Sequence, residues 1–262
     1  NYLAHLFQTP EILPEVAIVI CGMKGVGKDL LTDYIQSILG LEYITRTQKF
    51  SNLFGNFNSA IKNKLVIQVN EVSGKDGFSL KENLKNFITE KNVTINEKGI
   101  KPYTIENYAR LFLFCNNHNP IEITEDNRRY WVIKTGQKQN TEYYNKLYSN
   151  KNNSTILHSI YTYFLKRNLT EFNIRDFPIT KKMEIMRQYN TNPLYYYLFD
   201  TYINETLENV FITSKELFYN ILTYMEDEGH PTTHITRKTV RTFLLNINNN
   251  PIKDKSKTID TK

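Results

Sequence analysis

The chain has 262 residues, and its 33 basic and 27 acidic side chains give it a formal charge of +6 at pH 7. Hydrophobic residues make up 40% of the chain and charged residues 23%, a globular composition that excludes a disordered or collagen-like protein. The longest apolar run, residues 16–22, is far shorter than the roughly 20 residues needed to cross a bilayer, so we expect no membrane partner. The modest positive charge permits a polyanionic partner.

Two further features concern cellular location. Cys21 and Cys115 both lie in apolar runs, and we expect them to be buried thiols of a reducing compartment. No charged and apolar leader is found near the amino end, so we expect an intracellular location, in the cytoplasm or at a viral replication site, and no secretion. The chain opens with Asn1 and not Met, so we expect it to be a piece of a longer protein.

A glycine-rich segment lies between a predicted strand and a predicted helix. Residues 16–21 form a β-branched run typical of a strand buried on both faces, and apolar residues recur at helical spacing over residues 30–39. Between them, GMKGVGKD has the form G-x-x-x-x-G-K, in which backbone N–H groups and a helix terminus bind a phosphate chain. The alternative is an ordinary glycine-rich turn. We expect ATP to bind at Gly22, Lys24, Gly25, Val26, Gly27, Lys28 and Asp29.

Two positions depart from the usual pattern of a phosphate-binding site. Asp29 stands where a Ser or Thr hydroxyl normally ligates Mg²⁺, and Asn70-Glu71 follows a predicted strand where Asp-Glu is expected. Either arrangement carries one negative charge beside the metal, so we hypothesise that the two changes compensate. The alternative is that one change is neutral and the site binds metal poorly. We expect Mg²⁺ at Asp29, Asn70 and Glu71.

Four further side chains are candidates for catalysis. Glu71 follows a central strand, at the edge where ligands of open α/β sheets bind. Asn116, or alternatively Asn117, follows another buried strand and is placed to hydrogen-bond water or a γ-phosphate. Arg128 and Arg129 precede a strand; they either pair with surface acids or reach into a neighbouring subunit's site.

The order of predicted elements favours an α/β fold with a largely parallel sheet, followed by helices. A β-hairpin is predicted over residues 91–103, with its turn at residues 97–99 and its return strand at residues 100–103. We divide the chain into residues 1–190, which include a helical segment at 141–190, and a C-terminal module at 191–262. The predicted strands are residues 16–21, 65–69, 110–115 and 130–133. The predicted helices include residues 80–88, 143–165 with a break at the Asn-rich residues 150–154, 193–207, 213–229 and 236–245.

The motifs GMKGVGKD, LVIQVNEV, the hairpin, FLFCNNHNP and EDNRRYW, in this order, resemble the superfamily 3 helicases. The resemblance is to the ATPase part of viral and phage primase-helicases of the poxvirus type, and it spans about residues 1–190. It implies an AAA+-like P-loop ATPase fold, a β-hairpin insertion and ring hexamers with ATP sites between subunits. It assigns phosphate binding to Lys28, the catalytic acid to Glu71, the polar sensor to Asn116 and the trans finger to Arg128 or Arg129.

The resemblance also implies that the hairpin grips DNA in the channel of the ring. Lys98 at its turn is the main candidate for nucleic-acid binding, with Lys91 and Lys101 in support. A basic tip binds phosphates without reading sequence; the alternative is a solvated turn. Residues 191–262 resemble a winged helix, or alternatively form a plain helical cap, and end in a tail that we expect to fray.

The function predicted from the sequence is an ATP-dependent replicative DNA helicase or translocase domain of a primase-helicase. It would act on single-stranded or forked DNA as a homo-oligomeric ring, with a primase domain preceding it in the full-length chain. Two alternatives stay open: an ATP-binding nucleic-acid-binding or assembly module with little hydrolysis, and an RNA-directed helicase of the same superfamily.

Overall fold

The structure, a computed structural model, describes residues 1–72, 81–116, 120–191, 194, 197, 212–227, 232 and 235–247. The chain divides into two compact units, Asn1–Asn190 and Thr191–Lys262. The first unit contains the glycine-rich segment and all the predicted site residues. The assignment of the two units as an ATPase domain and a winged-helix-like module stays a prediction.

The first unit is built on a parallel β-sheet. Within the described residues its strands are β1 (Ala17–Cys21), β2 (Ile44–Thr47), β3 (Val66–Val69), a separate pair β4 (Asn92–Ile95) and β5 (Tyr103–Glu106), β6 (Arg110–Cys115) and β7 (Tyr130–Lys134). Five of them form one sheet in the order β2-β3-β6-β1-β7, and all neighbours are parallel. The predicted α/β fold with a largely parallel sheet is confirmed.

Helices cover both faces of this sheet. In the first unit they are α1 (Tyr2–Gln8), α2 (Lys28–Leu39), α3 (Ser51–Phe54), α4 (Lys81–Thr89), α5 (Thr141–Asn150), α6 (Ser154–Lys166) and α7 (Lys181–Thr191), with short 3-10 turns at Leu41–Tyr43 and Ser59–Ile61. Ile35 of α2 packs with Ile18 and Phe112 on one face of the sheet. Because α2 begins directly after the glycine-rich segment, this packing fixes the segment at the end of β1.

Arg110 ties the first helix to the sheet. Its side chain is fully buried at the start of β6, and its guanidinium donates hydrogen bonds to the carbonyl oxygens of Thr9 at 3.0 Å, Pro10 at 3.1 Å and Ile12 at 3.1 Å. The chain that follows α1 is therefore held against β6 by one buried cation, which the sequence analysis did not identify.

The hairpin differs from its prediction in where its second strand begins. β4 and β5 pair antiparallel from Asn92 opposite Glu106 to Ile95 opposite Tyr103, so the return strand starts at residue 103 and not at residue 100. Pro102 lacks an N–H group and cannot donate to the ladder. Gly99 has φ 80 and lies in the connection.

The second unit is described through two helices, α8 (Ser214–Asp227) and α9 (Arg237–Ile247). Their apolar side chains form a small core with Leu194 and Tyr197. The rest of the helix predicted at 193–207 and the tail predicted to fray lie outside the described residues. None of the helices in the described ranges is long and apolar enough to span a membrane.

Candidate nucleotide-binding site

The glycine-rich segment, Glu71 and Asn116 lie at the same edge of the parallel sheet. β1 leads into Gly22; β6, its neighbour, leads into Asn116; and β3, on the far side of β6, leads into Asn70 and Glu71. The carboxyl ends of these three adjacent strands meet at one edge, which is where ligands of open α/β sheets bind.

Glycines are required in the loop for two different reasons. Gly25 and Gly27 have φ 79 and φ 80, in the left-handed region that residues with a Cβ rarely adopt. Gly22 lies against the end of β7, where an added Cβ would lie 1.8 Å from Thr135 Oγ1 and 2.9 Å from its Cβ. The loop therefore depends on a bare backbone at its start as well as at its two turns.

We expect Gly22→Ala to destabilise the protein by about 2 kcal/mol, because overpacking of this kind costs about 1–3 kcal/mol. Denaturant unfolding measures the loss. Thr135→Gly in the same chain should bring stability back to within about 1 kcal/mol of the wild type, since it removes the atoms that clash. Gly136→Ala is a matched control, because a Cβ at Gly136 meets no described atom within 4 Å. Equal losses for Gly22→Ala and Gly136→Ala would contradict the predicted clash.

Lys28 folds back into its own loop. Its ammonium donates to the carbonyl oxygens of Gly22 at 2.8 Å and Met23 at 2.9 Å, and to Asn116 Oδ1 at 2.8 Å. Partial burial lowers the pKa of Lys28 below its usual value. The structure thus brings Asn116 to the loop lysine, while its role as a sensor stays a prediction and Asn117 lies outside the described residues.

Glu71 lies at a kink in the backbone. Asn70 donates its N–H to Thr47 of β2 at 2.8 Å, whereas Val72 donates to Phe114 of β6 at 3.1 Å. In a regular strand, N–H groups two residues apart face the same neighbour, so the chain turns over at Glu71, whose φ is 57. Left-handed backbone at a residue other than glycine costs roughly 1–3 kcal/mol and is concentrated at functional sites.

The predicted metal ligands Asp29 and Asn70 are joined through a third residue. Gln68 Nε2 donates to Asp29 Oδ1 at 2.5 Å and to Asn70 Oδ1 at 2.6 Å. In the part of the chain that the structure describes, no three His, Cys, Asp or Glu side chains converge as a metal cage. One carboxylate and one amide oxygen suit Mg²⁺, which typically binds one or two carboxylates and completes its shell with water and substrate phosphates.

Arg128 and Arg129 do not reach the loop of their own chain. Arg129 directly precedes β7, and its carbonyl oxygen accepts the N–H of Ala17, the first residue of β1, at 2.7 Å. Both arginines therefore lie at the amino edge of the sheet, a strand length of about 16 Å from the loop edge. A role in the site of a neighbouring copy stays a prediction.

The hairpin separates its three predicted lysines. Lys98 and Lys101 are exposed near the tip, beside Ile100, which is 55% exposed. Lys91 lies at the base, where its carbonyl oxygen accepts the N–H of Asn107 at 2.7 Å. The base is a strand length of about 13 Å from the tip, so Lys91 cannot share a phosphate contact with Lys98.

Two features near the loop carry no motif in the sequence. Lys138 lies over the loop, with its Nζ 3.6 Å from the position that a Cβ of Gly25 would occupy. The ring of Tyr144 lies 3.1 Å from the position that a Cβ of Gly27 would occupy. An apolar cavity of about 290 Å³ opens beside Gly27 and is lined by side chains of α1, α2, α5 and α6. Lys138 is a further candidate for phosphate binding, and the cavity is close to the size of a small-ligand site.

Comparison with known proteins relates the chain to a phage DNA primase-polymerase. A family of unknown function, DUF5906, matches residues 20–129, a range that contains the loop, Glu71, Asn116, Arg128 and Arg129. The DNA primase-polymerase of Nitratiruptor phage NrS-1 is 34% identical over 137 residues, which are 51% of this chain and 19% of that protein. The chain is thus homologous to part of a phage primase-polymerase.

Solved structures of the C-terminal region of NrS-1 share the fold of the present chain. One aligns with a TM-score of 0.62 and 26% identity over 74% of this chain and 47% of that chain. Another aligns with a TM-score of 0.63 and 22% identity over 92% of this chain and 64% of that chain. The present chain spans about a fifth of the primase-polymerase and less than two thirds of either solved chain.

Proposed function

We propose that this chain is an ATP-dependent replicative DNA helicase or translocase domain, of the superfamily 3 type, in a phage primase-helicase. One observation carries the proposal: a glycine loop with its lysine lies at the same sheet edge as Glu71 and Asn116, in a chain homologous to part of a phage DNA primase-polymerase. The resemblance of the motif order to viral primase-helicases supports the same assignment.

The residues at this edge have complementary roles in the proposal. The backbone N–H groups of the loop and the start of α2 would bind the phosphate chain, with Lys28 at the β- and γ-phosphates. Glu71 would orient the attacking water, and Asn116 would hydrogen-bond the γ-phosphate or that water. Mg²⁺ that enters with ATP would be held by Asp29, Asn70 and Glu71, and it would neutralise charge on the phosphate oxygens.

The apolar cavity beside Gly27 is the candidate position for the adenine base. It borders the loop directly, and its lining of Leu30, Leu31 and Phe164 suits a flat aromatic ring. Lys138, over Gly25, would add a second positive charge at the phosphates.

The positions of the arginines and of the hairpin support an assembled motor. Because Arg128 and Arg129 lie at the opposite edge from the loop, they would serve the site of the next copy in a ring expected to be a hexamer. The exposed lysines at the hairpin tip would contact the DNA backbone. A primase domain in the full-length protein would be the partner of this domain.

The DNA-binding part of the proposal is tested at the hairpin tip. We expect Lys98→Ala to weaken binding of single-stranded DNA several-fold. The slope of log Kd against log salt concentration should also decrease, by the amount that corresponds to the loss of about one phosphate contact. Fluorescence anisotropy over a salt series measures both. Lys166→Ala, at an exposed residue near the end of α6, removes an equal charge elsewhere and should change neither quantity beyond the effect of net charge. Unchanged DNA binding and unwinding by Lys98→Ala would exclude the hairpin assignment.

A second candidate function is an ATP-binding module for nucleic-acid binding or assembly, with little hydrolysis. The replacement of the usual metal ligands by Asp29 and Asn70 favours it. Steady-state hydrolysis of ATP with and without single-stranded DNA separates the two candidates: the motor predicts turnover that DNA stimulates. Stimulation by RNA in place of DNA would favour the RNA-directed alternative.

A further inference from the structure

Gln68 joins the two residues that depart from the usual metal-binding pattern. Its side chain lies in β3 and is fully buried, and its amide nitrogen bonds both Asp29 Oδ1 and Asn70 Oδ1. A carboxamide nitrogen carries two hydrogens, so each bond uses one of them. Both departures therefore depend on the same side chain.

The orientation of the Gln68 amide is fixed by its neighbours. An ionised Asp29 can only accept hydrogen bonds, so Gln68 must turn its nitrogen, and not its oxygen, toward that carboxylate. The oxygen Oε1 then meets the hydroxyl of Thr32, a fully buried residue on α2. If the amide were reversed, its oxygen would lie against the oxygens of Asp29 and Asn70. Thr32 and Asp29 thus hold opposite ends of Gln68.

The geometry explains why an amide follows β3 where a carboxylate is usual. Asp29 Oδ1 and Asn70 Oδ1 both lie within 2.6 Å of one nitrogen, so they are within about 5 Å of each other. A carboxylate at residue 70 would place two like charges at that separation. With Asn70 the pair carries one charge, and both oxygens keep lone pairs for a cation. Asp29 is exposed, so a cation can reach it from solvent.

We propose that Gln68 is a positioning residue that holds Asp29 and Asn70 together as ligands of one divalent cation site. The inference rests on the proposed function, because the cation would enter with the nucleotide. Gln68 itself is buried and offers no ligand; it acts by fixing the direction of the two oxygens. Loss of such supporting hydrogen bonds weakens metal binding by roughly 10- to 100-fold.

The test measures cation binding directly, with Mn²⁺ as the probe. Free and bound Mn²⁺ are distinguished by electron paramagnetic resonance, in the presence of a non-hydrolysable ATP analogue. We expect Gln68→Met, which keeps the length of the side chain and removes both donors, to weaken Mn²⁺ binding about tenfold. Binding of the analogue in EDTA should be unchanged, a split that a merely structural role would not produce.

Gln8→Met is a matched control for the loss of two amide hydrogen bonds. Gln8 Nε2 donates to the carbonyl oxygens of Phe164 and Arg167, both at 2.7 Å. We expect this variant to bind Mn²⁺ as the wild type does. In an Asp29→Asn background, Gln68→Met should cause a smaller further loss than in the wild type, because only Asn70 is then left unchanged for Gln68 to position.

Thr32→Val provides an independent variant if Gln68→Met does not fold. It preserves shape and removes the hydroxyl that lies within hydrogen-bond distance of Gln68 Oε1 and, at 2.9 Å, of the Asp29 carbonyl oxygen, and it should weaken Mn²⁺ binding about threefold. If Gln68→Met folds and binds Mn²⁺ with wild-type affinity, the positioning role is overturned while the proposed function is left intact. If only Thr32→Val folds, wild-type Mn²⁺ affinity in that variant has the same consequence. If the wild type binds the analogue in EDTA but no Mn²⁺, the cation site itself is overturned. If it does not bind the analogue at all, the proposed function fails together with the site.

Discussion

Glu71→Gln is expected to reduce steady-state hydrolysis of ATP by about 10²- to 10³-fold while ATP still binds. A carboxylate that orients and deprotonates a water contributes roughly this factor, and an amide of the same size cannot accept the proton. The substitution preserves the length of the side chain and leaves the kink at residue 71 in place. Single-turnover hydrolysis and equilibrium binding of ATP, measured on the same preparation, separate the chemical step from binding.

A second substitution at the same position distinguishes catalysis from folding. Glu71 has φ 57, so Glu71→Gly should relieve backbone strain and raise the free energy of unfolding by about 1 kcal/mol, while hydrolysis is lost as in Glu71→Gln. If Glu71 served only to stabilise the fold, Glu71→Gly would instead lower the free energy of unfolding and leave hydrolysis unchanged. Hydrolysis by Glu71→Gln within threefold of the wild type would remove Glu71 from the proposed mechanism.

Lys28→Ala is expected to weaken ATP binding by about 10- to 150-fold. The ammonium lies within 2.9 Å of two loop carbonyl oxygens, and a charged hydrogen bond to a phosphate contributes roughly 1.5–3 kcal/mol. The variant also loses its bonds to Gly22, Met23 and Asn116, so we expect the loop to be less ordered without nucleotide. Titration calorimetry with ATP measures the affinity.

Lys24→Ala is the comparison within the same loop. Lys24 is exposed, and the loop uses its backbone N–H in the proposal, so removing its side chain should change ATP affinity by less than about threefold. Equal losses in the two variants would mean that net positive charge, and not the position of Lys28, governs binding. ATP affinity of the wild-type level in Lys28→Ala would exclude the loop as the phosphate site.

The central sheet was predictable because β1, β3 and β6 are buried on both faces and therefore have mainly apolar sequences, with Gln68 in β3 and Arg110 at the start of β6 as the exceptions. β2 was missed because it is a short edge strand, ITRT, in which only Ile44 is buried. The spacing of the glycines predicted the loop, and the ends of the apolar runs predicted which polar residues would share its edge.

The remaining parts of the site depend on contacts between segments that are distant in the sequence. Gln68 is a lone polar residue in an apolar run. Its contact with Asp29 arises only because α2 packs on β3 in the fold, so nothing in the sequence alone assigned it a role. Lys138 follows β7 in a polar stretch with no motif, and only the fold places it over Gly25. Arg110 was hidden in the same way, because its partners lie about a hundred residues away in the chain.

The separation of the arginines from the loop has a consequence for symmetry. In the proposed assembly, a copy that gives its arginines to one neighbour would still have its own loop open for the next copy, so the contact would be head-to-tail and would use two different surfaces. Repeated with a constant rotation, such a contact closes into a cycle or continues as an open helix. The rotation between subunits would then determine how many catalytic centres are complete. In an open helix, one terminal copy would have an incomplete catalytic centre, because no neighbour supplies its arginines.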